Sequence, residues 1–391
     1  MINYIIIICI TILINIAISI FINKKILSMY NNKNLSIEYV LDKFIIMQEY
    51  YQWLVMVISL FALAFAIGKI MHYINIPKSM ILSNIVVWGF IFFLAILNQI
   101  ISHNTYKKLR NLQLSYWDDL KRVISYLLTI FIPYFIIAFF RINLIDKYNI
   151  EGLLQYVIFV IIILLINILY PHIIRFLIKA KPLRDTELKK ILIDFLSKYD
   201  IHSLKIYEWP TVKTKEANAL VAGIGGRYLF ITDYLIKNLS VDELKAVIAH
   251  EIGHWKKRHL LKRILLIISV YYLFLYPTGN ILDYLEVYRH INIPIPIGIT
   301  VFILVFWLCI YLSLIIIRFQ EYSADEYVIK SGIDVNTYIS ALLKLAKLNN
   351  NMIKLSKLRE KFQDHPSIDN RIKHLRNVSD KIRSKLANFE Q

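Results

Sequence analysis

The stretch Ser240-Val241-Asp242-Glu243-Leu244-Lys245-Ala246-Val247-Ile248-Ala249-His250-Glu251-Ile252-Gly253-His254 decides how the chain is read. Ser240 and Glu243 form a capping box, and Ala246 to Ala249 carry a helix onward to the HExxH pentapeptide. Histidines four residues apart stand one above the other on a helix face, so both imidazoles can point at one ion. Glu251 is rotated about 100° from His250 and can meet a water held on that ion. Two histidines also meet by chance on ordinary helix faces. A metal centre of this kind needs a third ligand from elsewhere in the chain.

The flanks of the motif read as soluble structure, from about Lys179 to His259. Asp185 to Tyr199 predicts an amphipathic helix with Leu188, Ile191, Leu192 and Leu196 on one side. Leu204 to Trp209 reads as a strand. Ala217 to Ala222 and Tyr228 to Thr232 read as a hairpin turning through Gly223 to Gly226. Asn218 and Ala219 would present an open edge onto which an extended peptide pairs as an added strand. After the motif, Lys256-Lys257-Arg258-His259 reads as a cationic anchor at a membrane surface, with His259 part of the anchor and not a ligand.

Composition excludes an ordinary soluble domain: 57% of the 391 residues are hydrophobic and the mean hydropathy is +0.53. Seven apolar segments are long enough to cross a bilayer: Ile2 to Phe21, Trp53 to Met71, Ser79 to Ile101, Val123 to Phe140, Leu153 to Ile174, Ile264 to Leu282 and Ile295 to Ile317. Pro133 and Pro277 are candidate kinks in the fourth and sixth. In such a chain the formal charge of +18 marks cytoplasmic loops and not nucleic-acid binding. Lysines and arginines concentrate after the first and third segments. The N-terminus is therefore expected outside, with the HExxH stretch and the C-terminus in the cytoplasm. Cys9 and Cys309 both lie in apolar runs, so no disulfide framework or thiolate metal site follows.

The expected architecture is mainly α: a polytopic membrane protein of seven transmembrane helices with a small α+β, zincin-like (gluzincin) domain on the cytoplasmic side. Residues 1–178 hold five helices and 179–260 the zinc-binding part. Residues 261–317 hold helices six and seven, and 318–391 form a C-terminal cytoplasmic part.

The third ligand is expected where the seventh segment emerges, in Arg318-Phe319-Gln320-Glu321-Tyr322-Ser323-Ala324-Asp325. Glu321 and Asp325 are i, i+4, so Glu321 can bind the ion while Asp325 accepts the second ring N–H of a ligand histidine. On their own they read as carboxylates on a solvated helix start; their placement on the same side as HExxH favours the ligand reading. Zinc lowers the pKa of a water and polarises a carbonyl, and Glu251 serves as base and then as acid toward the leaving amine. His365 and Arg371, in the segment from Asp364 to Arg371, are candidate donors to the oxyanion, although from the residues alone they read as surface groups.

Four separated motifs then resemble the type I CAAX prenyl protease family, integral-membrane metallopeptidases of family M48. They are His250 to His254 with Trp255, Arg318 to Asp325, Asn218-Ala219, and His365-Pro366 to Arg371. Their order relative to the apolar segments matches as well, and the likeness covers nearly the whole chain. The resemblance implies one zinc held by His250, His254 and Glu321, with Glu251 as catalytic base and Asp325 behind a ligand histidine. It also implies that Asn218, with Ala219, binds substrate backbone, that His365 and Arg371 support the site, and that the helices enclose a water-filled chamber. The implied partners are a peptide or a lipidated, including prenylated, protein substrate and the lipid bilayer. The implied location is a plasma membrane in a bacterium or the endoplasmic reticulum in a eukaryote. Leu220 departs from the aromatic residue that often follows the Asn-Ala pair.

Other readings compete. A membrane-protein quality-control protease shares these motifs. A site-two protease needs HExxH inside a membrane helix and an Asp-Gly ligand motif, and this chain has no Asp-Gly dipeptide. A seven-helix transporter or receptor has no use for a non-ligating Glu251, and an inactive scaffold would not need every catalytic position filled.

Overall fold

A computed structural model describes residues 2–389, except 74–79, 141–142, 145–147, 149–152, 224–226, 276, 279–280, 282–283, 286–288 and 290–294; the side chains of 2–4, 56–57, 59–85, 130, 153, 271, 275, 295–296, 299, 302 and 385–389 are also outside it. The chain divides into two compact units, Met1–Ile178 and Lys179–Gln391.

The first unit is helical: α1 Ile2–Asn31, α2 Ile37–Tyr73, α3 Met80–Leu109, α4 Tyr116–Phe140 and α5 Leu153–Leu177. These helices turn large apolar side chains outward, as at Leu13, Phe21, Leu165 and Phe176, the pattern of helices solvated by lipid. Polar groups turn inward instead. Between α1, α2 and α3, Ser19 Oγ donates to Asn98 Oδ1 at 2.7 Å, and Asn98 Nδ2 donates to Gln48 Oε1 at 2.7 Å. Asn23 Nδ2 and Gln48 Nε2 both donate to Ser102 Oγ at 3.0 Å. Gln99 Nε2 reaches Asp119 Oδ2 on α4 at 3.0 Å. Asn98 and Gln99 therefore tie helices together, at the ~0.6–2 kcal/mol such bonds contribute in membranes. Asn84 has no described side chain. Pro133 lies within α4, which runs on through it, and Pro171 lies within α5.

Among the described residues, five helices are long and apolar enough to cross a membrane: Ile5–Asn31, Val86–Leu109, Tyr116–Phe140, Leu154–Leu177 and Ile303–Lys330. The expected spans at Trp53 to Met71 and Ile264 to Leu282 run into residues or side chains outside the described set. So do the Gly223 to Gly226 turn and the surroundings of Pro277.

The second unit contains β1 Lys181–Pro182, α6 Thr186–Ser197, β2 Lys205–Trp209, β3 Ala219–Ala222, β4 Tyr228–Thr232, α7 Asp233–Asn238, α8 Val241–Lys256 and α9 His259–Val270. A π-helical turn follows at Tyr271–Leu275. Further on come α10 Ile295–Lys330, α11 Val335–Asn349, α12 Lys357–Lys361 and α13 Ile368–Phe389. The sheet order is β1-β2-β4-β3, with β2 parallel to β4 and the expected β3–β4 hairpin antiparallel, Leu220 opposite Phe230. β3 is an edge strand.

Helix starts follow their caps. Asp185 accepts from the backbone of Glu187 and Leu188, Ser240 and Glu243 close the expected capping box, and Asp334 caps α11. The core joins Leu188, Leu192 and Leu196 of α6 to Leu229 and Ile231 of β4, Ile248 and Ile252 of α8, and Leu342 of α11. Each such side chain contributes about 1.5–3 kcal/mol on burial. Ile191, expected on the buried side of α6, is 38% exposed, and Phe195 takes the inward place. Around the helix the buried arc runs from Phe195 through Leu188 and Leu192 to Leu196, and Ile191 falls about 40° beyond its Phe195 edge.

Candidate metal centre

Three elements deliver the centre. Helix α8 presents His250 and His254 one turn apart, and α10 crosses it carrying Glu321 and Asp325. The crossing is tight because Gly253 has no side chain: a Cβ there would lie 3.1 Å from Tyr327 Cβ and 3.2 Å from both Cα and O of Ala324. The third element, α11, ties to α8 through Glu243, which accepts from Ser340 Oγ and Lys344 Nζ at 2.7 Å each. Burial alone would raise the Glu243 carboxyl. The bonds from Lys344, the Ser240 backbone and Ser340 outweigh it and hold the group at about 2.

His250 Nε2 lies 3.1 Å from His254 Nε2 and 3.3 Å from Glu321 Oε2, and His254 Nε2 lies 3.4 Å from Glu321 Oε1. A tetrahedral zinc with bonds of ~2.0–2.2 Å needs ligand atoms about 3.3 Å apart. Glu321 is 1% exposed, yet its buried Oε2 receives no well-formed hydrogen bond. A converging set of two imidazoles and one carboxylate, all nitrogen and oxygen donors, fits a divalent cation of the zinc type. Glu251 is half-buried beside the sheet edge, where its Oε2 accepts from Val221 N at 3.4 Å.

The far nitrogens of the two histidines meet different partners. His250 Nδ1 is 3.0 Å from Asp325 Oδ1 and 2.9 Å from Tyr338 Oη. Tyr338 Oη donates to Asp325 Oδ1 at 2.6 Å and accepts from Arg371 Nη2 at 2.9 Å. Arg371 also clamps Asp325 with Nε and Nη2 at 2.9 and 2.6 Å. Arg371 thus faces Asp325 and not the open side of the site, so the oxyanion donor expected from it is spent on holding a carboxylate. His254 Nδ1 instead meets His259 Nδ1 at 2.9 Å.

Charge follows this asymmetry. Burial lowers His250, but hydrogen bonds to Asp325 and Glu321 overcome it and carry the imidazole up to about 9. His254 is pushed down, chiefly by burial and against the pull of Glu321. Burial, with His254, Lys262 and Arg263 nearby, takes His259 down to about 3. These directions belong to the cluster without a cation, which would compete for both ligand imidazoles.

His365 stands on the open side with Nδ1 2.8 Å from Glu321 Oε2 and a side chain 56% exposed. Burial of the ring pulls its pKa down and the Glu321 carboxylate, the stronger influence overall, raises it. Its exposure means solvent screens much of that pull. The segment carrying it is tied down by Arg318, whose Nη1 reaches the carbonyls of Glu360, Lys361 and Gln363 at 3.5, 2.8 and 3.0 Å. Asn218 has an exposed side chain, while its backbone N–H and C=O both face Thr232. Alternation along an antiparallel edge then leaves Ala219 and Val221 with outward backbone groups.

Sequence reasoning missed Tyr338, Arg263 and the inward turn of the basic run. Arg263 Nη2 lies 3.3 Å from Glu321 Oε1, Lys257 Nζ bonds Ser323 Oγ at 2.7 Å, and His259 is 2% exposed. Two of the four residues read as an anchor therefore point into the protein. No spacing announced His259: five residues after His254 lies off a helical face, and the left-handed Arg258 between them brings the two rings together.

A family model for peptidase family M48 matches residues 182–379, just over half of the chain. The chain belongs to that family. CAAX prenyl protease 1 of Saccharomyces cerevisiae is 27% identical over 276 residues, 63% of this chain and 60% of the yeast protein. The chain thus spans under two thirds of that relative's length. A Helicobacter pylori protein described as a Protease HtpX homolog is 27% identical over 221 residues, 49% of this chain and 67% of that one. The crystal structure of S. mikatae Ste24p superposes with a TM-score of 0.65 at 19% identity, covering 95% of this chain and 98% of that chain, which shows a shared fold. The likeness to the CAAX prenyl protease family read from four motifs is borne out.

Proposed function

We propose that this M48 protein is a membrane-embedded zinc endopeptidase of CAAX prenyl protease type, with one zinc per chain held by His250, His254 and Glu321. The observation that carries this is the convergence of those three side chains, whose ligand atoms lie within 4.8 Å of one another. Bound there, zinc supplies a Lewis acid and a water of lowered pKa. Glu251 takes and returns the proton. The outward backbone of Ala219 and the carbonyl of Val221 pair with an extended substrate, and Asn218 offers its exposed amide beside them. His365 donates to the developing oxyanion from the open side. Asp325, clamped by Arg371 and Tyr338, keeps a proton on His250 Nδ1 so that Nε2 faces the metal.

In this reading seven helices span the bilayer. The zincin-like part, residues 179–260 with 318–391, faces the cytoplasm, and the N-terminus lies outside. The bilayer and a peptide or lipidated protein are the partners. The HtpX-like relative favours a second reading, clearance of damaged membrane proteins, by the same chemistry.

The test compares purified protein with Glu251→Gln for zinc content and for cleavage of a farnesylated CAAX peptide and its unlipidated counterpart. The expected result is one zinc in both and turnover only in the unsubstituted protein. Preference for the farnesylated peptide supports the first reading, and equal cleavage supports the second. Absence of zinc, or equal activity in the variant, overturns both.

A further inference from the structure

The two converging histidines differ in what stands behind them: among the described residues His250 Nδ1 meets the Asp325 carboxylate, whereas His254 Nδ1 meets another imidazole, that of His259. Helix α8 ends at Lys256, and Arg258 takes a left-handed conformation, φ 55°, that reverses the chain within two residues. Arg258 N bonds Trp255 O at 2.9 Å, and Lys257 Nζ is anchored on Ser323 of α10. This corner sets His259 as the first residue of α9 and folds its ring back onto His254, with ring centroids 5.0 Å apart at 74°. Two nitrogens at 2.9 Å can share only one proton between them. His254 Nε2 faces His250 and Glu321 and must keep its lone pair free for a cation. Its Nδ1 therefore carries the proton, and His259 Nδ1 is the acceptor.

We propose that His259 is a positioning residue for the metal centre, fixing the tautomer and ring plane of His254 through Nδ1 as Asp325 does for His250. The proposal rests on the ligand set above. It implies an asymmetric centre: an anionic acceptor strengthens His250 as a ligand, while a neutral one leaves His254 the weaker donor. It also makes the corner between α8 and α9 part of the metal site.

The test replaces His259 by Asn, whose Oδ1 can stand where Nδ1 stood, by Gln, whose Oε1 falls nearer the place of Nε2, and by Phe. Zinc affinity is measured by competition with a chromophoric chelator, and the melting temperature of the metal-free protein reports folding separately. Expected is zinc binding within about threefold of the unsubstituted protein for Asn and ~10–100-fold weaker for Gln and Phe, with metal-free melting of Asn and Gln alike. If all variants bind zinc equally, or Asn falls as far as Gln, the proposal is overturned. If Phe fails to fold, the comparison of Asn with Gln decides alone. If the unsubstituted protein binds no zinc, the ligand set itself fails, an outcome distinct from the others.

Discussion

Gly253 and Ala324 are in backbone contact: a side-chain carbon on Gly253 would sit 3.2 Å from both Cα and the carbonyl oxygen of Ala324. The fourth residue of the HExxH motif is thus the place where α8 and α10 touch. The approach of the two histidines to Glu321 depends on it. Gly253→Ala gains ~1 kcal/mol of helix propensity but must push backbone against backbone at a typical cost of ~1–3 kcal/mol. A net loss of stability and at least tenfold weaker zinc binding are expected. Thermal unfolding with and without zinc checks both, and an unchanged affinity would show the helices free to separate.

Tyr338→Phe tests the buttress behind His250. The hydroxyl bridges Asp325 and Arg371 in a fully buried setting, so its removal leaves polar groups unpaired at about 1–3 kcal/mol. Lower melting and ~10–100-fold weaker zinc binding are expected from chelator competition.

Arg318→Ala releases the strap that brings His365 to Glu321. Loss of three carbonyl partners is expected to raise hydrogen exchange across 357–367 while zinc content stays the same. Peptide turnover should fall by up to roughly 100–1,000-fold, the range for loss of an oxyanion donor. Arg318→Lys should rescue little, because an ammonium lacks the reach of a planar guanidinium.

Acid should loosen α8 from α11. Glu243 lies at about 2 in the folded protein against an ordinary value of 4.5. A lowered folded value stabilises fully above the unfolded pKa, and the benefit fades as pH falls from about 4.5 toward 2. Half-exposed Lys344 weakens the pair by screening, so the contribution is on the order of 1–2 kcal/mol. Lys344→Met is expected to melt lower than the unsubstituted protein at pH 7. That gap should shrink as the pH is lowered through this window.

Motifs that repeat at helical spacing were readable in the sequence. His250 and His254 share a face by period alone, Glu321 and Asp325 likewise, and Ser240 with Glu243 announces the start of α8. Tyr338 gave no such sign. It lies 88 residues from His250 and is one of 26 tyrosines, so only tertiary packing brings it behind the site. His259 and Lys257 were misread because a run of cations looks solvated until one left-handed residue folds it inward. Asn218 directly precedes the edge strand β3. The parity of its backbone, however, depends on a register fixed only by pairing with Thr232.

Helix α10 runs unbroken from Ile295 to Lys330, joining an apolar stretch to the carboxylates of the metal centre. At 1.5 Å per residue, Glu321 stands about 6 Å beyond Ile317, the last of the apolar run. A continuous helix holds that separation fixed. With no joint between them, the carboxylate cannot move along the helix axis independently of the apolar run, so any displacement of that run is handed directly to the metal centre.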